Sequence, residues 1–169
     1  MKWIGFLFII FGCSGIGISN TLDYNKRIET LTKIRQMMHY IQDMIRQEHL
    51  SLTEAIGRCG QRMDGVYGEF LMRVAEQMDV FCGEDIALIW RKQAAGLQKE
   101  LGKQYYSEFE HCMDQTGFAT AQAQADAIRQ YERQLSDTIQ NLVSQREEKC
   151  KLYQSLGIIG GIFICVLLL

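Results

Sequence analysis

Charge is confined to the middle of this chain. Every acidic residue, and every basic residue except Lys2, lies between Asp23 and Lys151, which leaves uncharged runs from Trp3 to Leu22 and from Leu152 to Leu169. A bilayer core about 30 Å thick is crossed by roughly 20 mostly apolar helical residues, with about 17 to 25 accepted. Both runs therefore read as transmembrane helices. The expected division is a transmembrane helix over 1–22, a cytoplasmic helical bundle over 23–151, and a second transmembrane helix over 152–169 continuous with the last long helix. The segment of about 130 residues between the runs suits one small domain.

Orientation follows from the basic residues that flank the runs. Lys26, Arg27, Lys33 and Arg35 follow the first, Arg133, Arg146, Lys149 and Lys151 precede the second, and only Lys2 lies outside. Basic residues accumulate on the cytoplasmic side of spans, so the middle domain is expected in the cytoplasm. A cleavable leader is the competing reading, because Ile10-Phe11-Gly12-Cys13 loosely resembles a lipoprotein cleavage site. Phe11 is bulky where a small residue is favoured, and the uncharged stretch continues well past Cys13. An uncleaved span fits better.

The chain holds no proline, where about 5% is usual. Proline interrupts helices and punctuates loops, so its absence suits long helices joined by glycine turns. Gln, Glu, Arg, Met, Leu and Ala dominate the middle and are helix formers. The fold class is expected to be all-α, a membrane-anchored bundle of about five to six helices. Six scattered cysteines without metal-ligand spacing suit a reducing compartment.

The periodicity supports this. Tyr24, Ile28, Leu31, Ile34, Met38, Ile41 and Ile45 recur every three or four residues as a helical stripe ending near His49. Ser51-Leu52-Thr53-Glu54 has the form of a capping box, with Leu52, Ala55, Ile56, Cys59 and Met63 on the buried side of the helix it starts. After Asp64-Gly65, a third helix places Tyr67, Phe70, Leu71, Val74 and Met78 on one face and stops at Cys82-Gly83. Glu84 and Asp85 then suit the positive end of a fourth helix, with Ile86, Ile89, Trp90, Ala94 and Leu97 at core spacing. Gly102 is a stop, and a fifth helix carries Tyr105, Tyr106, Phe109, Cys112 and Met113 to a Gly117 turn. From Thr120 the seam Ile128, Tyr131, Leu135, Ile139, Leu142 runs on without a breaker.

Chemistry is harder to find. His39 and Asp43 share a helix face, but no carboxylate–histidine pair recurs on a second helix as a bundle metal site needs. His111 and Cys112 are adjacent and point about 100° apart on a helix, so they do not make a nucleophile and base. Phosphate-cradling loops, nucleophile elbows and calcium loops are all missing. The net charge of -2 without a basic block argues against nucleic acid. A non-enzymatic binding role with no cofactor and no metal is the better expectation. The candidate partner surface is Glu84, Asp85, Arg91 and Lys92 with Arg58 and Arg62. The alternative is a membrane-tethered sensor or adaptor, which would call for a buried polar cluster.

The spans carry one further signal. Gly157 and Gly161 form a GxxxG, and Gly12, Cys13 and Gly17 supply small residues to the first run. Small residues let helix backbones approach closely in lipid, where no hydrophobic drive separates helix from acyl chain. These positions are candidates for packing the two spans together or for recruiting other subunits, and oligomerisation is left open.

Lys2-Trp3-Ile4-Gly5 opening the first span, the Ser51-Leu52-Thr53-Glu54-Ala55 helix start, and Gly117 before a long helix containing Gln124 are a combination of features. With Tyr153-Gln154-Ser155-Leu156-Gly157 leading the terminal span, they resemble the stage III sporulation protein AB family over the full length. Where an acidic or serine cap is expected after Gly117, this chain has Ala119 and Thr120. The resemblance implies a small protein of the mother-cell membrane around the forespore, part of a transenvelope, secretion-like channel. It also implies a soluble domain similar to the cytoplasmic domains of the platform protein of type II secretion and type IV pilus machines. Its implied partners are a cytoplasmic secretion-type ATPase and the channel's other membrane subunits.

Overall fold

Among the described residues two long helices bracket four short ones. In the computed structural model, which describes residues 2–80, 85–114, 116 and 120–168 (side chains only for 23–152 and 155 among these), α1 spans Lys2–Gln47 and α6 spans Ala121–Leu168. Between them lie α2 (Leu52–Arg62), α3 (Val66–Val80), α4 (Ile86–Ala94), a 3-10 turn (Ala95–Leu97) and α5 (Gln98–His111). The described residues contain no strand, so the protein is all-α, as the helix-forming composition requires. The chain divides into two compact units, Thr30–Asp137 and the paired ends Met1–Glu29 with Thr138–Leu169. Among the described residues no helix is long and apolar enough to cross a membrane. The two uncharged runs fall on the ends of α1 and α6, whose side chains lie outside the described residues.

In the unit Thr30–Asp137 the predicted stripe of α1 is buried at Leu31, Ile34, Met38, Ile41 and Ile45, joined by Met37 and Met44. The helix stops where His49 takes a left-handed φ of 56°. The next helix begins as the sequence suggests, with Ser51 Oγ accepting from the Glu54 N–H at 3.3 Å. The reciprocal half of the capping box is diverted. Glu54 Oε1 pairs at 3.1 Å with Arg58 one turn on, because an exposed cation offers a charged partner in place of a backbone N–H.

The α2–α3 hairpin is set by close backbone approach. A Cβ on Gly68 would stand well inside contact distance of the Met63 carbonyl oxygen and 3.0 Å from that of Gly60. Only glycine leaves room there. Met63 and Met78, expected in the core, are half-buried, since each sits at the end of its helix. Gly102 does break its helix, as expected, with φ of 70° inside α5. The Cys82-Gly83 stop and the Gly117 turn lie outside the described residues.

The start of α6 corrects the expectation of an acid or serine. Thr120 is the cap, its hydroxyl accepting from the Ala123 N–H at 3.4 Å and its carbonyl from Gln124 at 2.9 Å. The Gln124 amide reaches back to the Thr116 carbonyl at 3.0 Å. Thr116 itself is fully buried, its hydroxyl donating to the Met113 carbonyl at 2.7 Å. Side-chain hydrogen bonds thus tie Thr116 to the first turn of α6, whose Ala125, Ile128, Tyr131 and Leu135 enter the core.

In the other unit α1 and α6 run antiparallel and are joined by polar contacts. Arg146 donates to Asn25 Oδ1 at 2.8 Å. Lys149 donates to the Tyr24 hydroxyl and lies 4.8 Å from the centre of that ring.

The glycine contact predicts a contrast within one hairpin. Gly68→Ala should lower stability by about 1–3 kcal/mol through forced displacement of α2 from α3. At Gly57 a Cβ would meet only Ala75 Cβ at an ordinary 3.5 Å, so Gly57→Ala should be neutral or stabilising by up to about 1 kcal/mol of helix propensity. Thermal unfolding of the two variants in detergent, followed by circular dichroism, measures both.

Candidate partner surface

The helix α4 is amphipathic for a simple reason of spacing. Ile86, Ala87, Ile89, Trp90 and Ala94 are buried, while Asp85, Leu88 and Lys92 return on the opposite side. Each has a different local task. Asp85 is the N-cap, its carboxylate accepting from the Ala87 N–H at 3.1 Å. This satisfies a helix-end donor and places negative charge at the positive end of the dipole. Leu88 is 47% exposed, an apolar side chain left on the outside. Lys92 is exposed beside it on the next turn.

Arg91 lies between the two faces and is held sideways. Its Nε and one Nη donate to Asp114 Oδ1 at 3.2 and 2.7 Å, and His111 Nδ1 lies 2.9 Å from Asp114 Oδ2. Asp114 follows the end of α5, so this clasp ties the turn after α5 to α4. The Asp114 hydrogen bond and neighbouring carboxylates push the Arg91 guanidinium above its ordinary value. Partial burial pulls the Asp114 carboxyl up, and hydrogen bonds from Arg91 and His111 overcome it, leaving the group below its ordinary range.

Arg58 and Arg62, the other candidate residues, belong to α2 and have their own partners. Arg58 pairs with Glu54 at 3.1 Å and Glu48 at 3.3 Å, and the Arg62 guanidinium lies 4.5 Å from the centre of the Tyr40 ring. These contacts fasten α2 to α1 and to the link that follows it. Of the six charged candidates, Asp85, Arg91 and Lys92 therefore share α4, and Arg58 and Arg62 lie on a different helix. Glu84 lies outside the described residues, as do the side-chain surroundings of Gly12, Cys13, Gly17, Gly157 and Gly161.

The sequence reading missed Leu88 and the Asp114 clasp. Leu88 was visible as the one large apolar residue of α4 off the core spacing. Asp114 carried no local signal, because its partner is 23 residues away.

Other described polar groups pair with one another. His39 has Asp43 Oδ2 3.3 Å from one ring nitrogen and Glu132 Oε1 3.3 Å from the other. The two carboxylates flank opposite sides of the imidazole instead of converging with it on one point. That geometry bridges α1 and α6 within the bundle. Among the described residues no group of three His, Cys, Asp or Glu side chains could hold a metal ion. Burial pushes the Cys59 thiol up to about 12 and Cys112 well above its ordinary value, so both are protonated and inert at neutral pH. No described buried side-chain nitrogen or oxygen lacks a hydrogen-bond partner.

The described residues thus form an all-α protein bracketed by two long helices, in which no described buried side-chain polar atom is left without a partner. The chain belongs to the stage III sporulation protein AB family, whose sequence pattern matches residues 2–169. It is therefore a sporulation protein. No curated protein and no solved structure matches the chain.

The clasp gives a pH dependence with a definite sign. A carboxyl held below its ordinary value of 3.8 adds stability above that value and loses it as the pH falls through the lowered one. Arg91→Ala should therefore unfold at lower temperature than the unaltered protein at pH 7, and the two curves should converge as the pH falls below the ordinary carboxyl value and through the lowered one. Calorimetry across that range reads the convergence.

Proposed function

We propose that the protein is a non-enzymatic membrane platform of a sporulation-specific, transenvelope channel between mother cell and forespore. Its two uncharged ends span the mother-cell membrane, its bundle faces the cytoplasm, and its spans pack with other membrane subunits. The bundle docks a cytoplasmic secretion-type ATPase through the outer face of α4. The observation that carries the docking surface is Leu88, an exposed apolar side chain next to the cation Lys92. An apolar anchor beside a charge is the composition of an interface centre with a polar rim. Family membership supports the sporulation setting, and the charge segregation of the sequence supports the tether.

The test separates Leu88 and Lys92 from the clasped Arg91. Leu88→Asp with Lys92→Glu should reduce ATPase co-purification from sporulating cells by roughly tenfold or more, the cost of losing an interface anchor. Arg58→Ala, on α2, should leave recovery unchanged. Undiminished recovery with the α4 double variant removes α4 as the docking face, and recovery of no ATPase even with the unaltered protein removes the platform reading.

A further inference from the structure

The two polar contacts near the chain ends fix a register that reaches beyond them. Tyr24 meets Lys149 and Asn25 meets Arg146, so α1 and α6 are antiparallel with these pairs side by side. On an α-helix eleven residues make close to three turns, so a shift of eleven returns to nearly the same face. Eleven residues back from Tyr24 along α1 is Cys13, and eleven forward from Lys149 along α6 is Gly160. The same shift carries Asn25 to Ser14 and Arg146 to Gly157. All four positions reached are small.

We infer that the ends of α1 and α6 form an antiparallel hairpin within one chain, with Cys13 and Ser14 apposed to Gly160 and Gly157. The inference rests on the proposed reading of both ends as membrane helices, since small residues matter most where close approach replaces the hydrophobic drive. Three observations support pairing within the chain over recruitment of a second copy. The described contacts already join α1 to α6 at Tyr24 and Asn25, on the side of the helices from which these turns follow. Both ends belong to one compact unit, Met1–Glu29 with Thr138–Leu169. The small residues also coincide in register on both helices, which a stripe on either one would not require. Gly17, seven residues before Tyr24, extends the face. Gly161 lies about 100° round the helix from Gly160 but only about 40° from Gly157, so it borders the face, whereas Gly12 and Gly15 on α1 fall outside the pair Cys13 and Ser14.

Disulfide trapping in native membranes tests this with the full chain. Gly160→Cys should link to the native Cys13 on mild oxidation, as a link within one chain that migrates as monomer, whereas Ile162→Cys, on the opposite side of the helix from both Gly157 and Gly160, should link roughly tenfold less. Gly17→Cys with Leu156→Cys, seven residues along from Tyr24 and Lys149, makes the same test while leaving Gly157 and Gly160 intact. Peptide mass spectrometry identifies each link. Equal linking by Gly160→Cys and Ile162→Cys, or links found only between differently tagged copies, would overturn the inference. Alkaline extraction of the same membranes reports separately whether the chain is embedded, so loss of the membrane reading and loss of the pairing give different results.

Discussion

Trp90 brings a large apolar surface and a single polar N–H into the same buried position, and the bundle has to accommodate both. The ring stacks edge-on against Phe70 of α3 at 4.7 Å and tilts against Phe109 of α5 at 5.1 Å, while Phe70 and Phe109 lie 5.5 Å apart. All three are fully buried. The indole N–H donates to the Phe109 carbonyl at 2.9 Å, a bond whose absence would leave a buried donor at a cost of about 1–3 kcal/mol. That carbonyl lies near the end of α5, where helical carbonyls lose their intrahelical partners. Satisfying the indole therefore anchors the end of α5 to α4, and the ring contacts bring in α3.

The orientation of α4 follows from this anchor. With Trp90 fixed inward, Leu88 and Lys92 face out and Arg91 lies at the side, where it finds Asp114 in the turn after α5. The clasp and the aromatic cluster thus hold the same pair of elements, one in water and one in the core. The second point of close control is the α2–α3 hairpin, where Gly68 lets the backbone pass beneath the Met63 carbonyl. Both are made by apolar packing and backbone contacts.

Much of the fold was legible in the sequence because it rests on local chemistry. The three- and four-residue spacing of α1, the Ser51 cap, the Gly65 and Gly102 turns and the core side of α4 all depend on residues within a few positions of one another. What was not legible depends on a choice among competing partners, some near and some distant. Glu54 abandons its capping role for Arg58, Asp114 becomes the counter-ion of Arg91, and Thr120 with Gln124 and Thr116 builds a cap that composition alone did not favour. The proposed charged patch was read from exposed residue types, and much of that charge is engaged in caps and ion pairs. Leu88 does not belong to the core spacing of α4, and a large apolar residue off that spacing is a more specific signal of an outward-facing contact than exposed charge.

The central claim is a bundle held on the cytoplasmic side of a membrane by both ends of one chain. Protease protection tests it most directly. In intact protoplasts of sporulating cells the bundle of residues 30–137 should resist an added protease that cuts after basic residues, whereas in inverted membrane vesicles it should be cleaved and leave both terminal fragments in the membrane. Cleavage of the bundle in intact protoplasts, or release of either terminal fragment from the vesicles, would contradict the account.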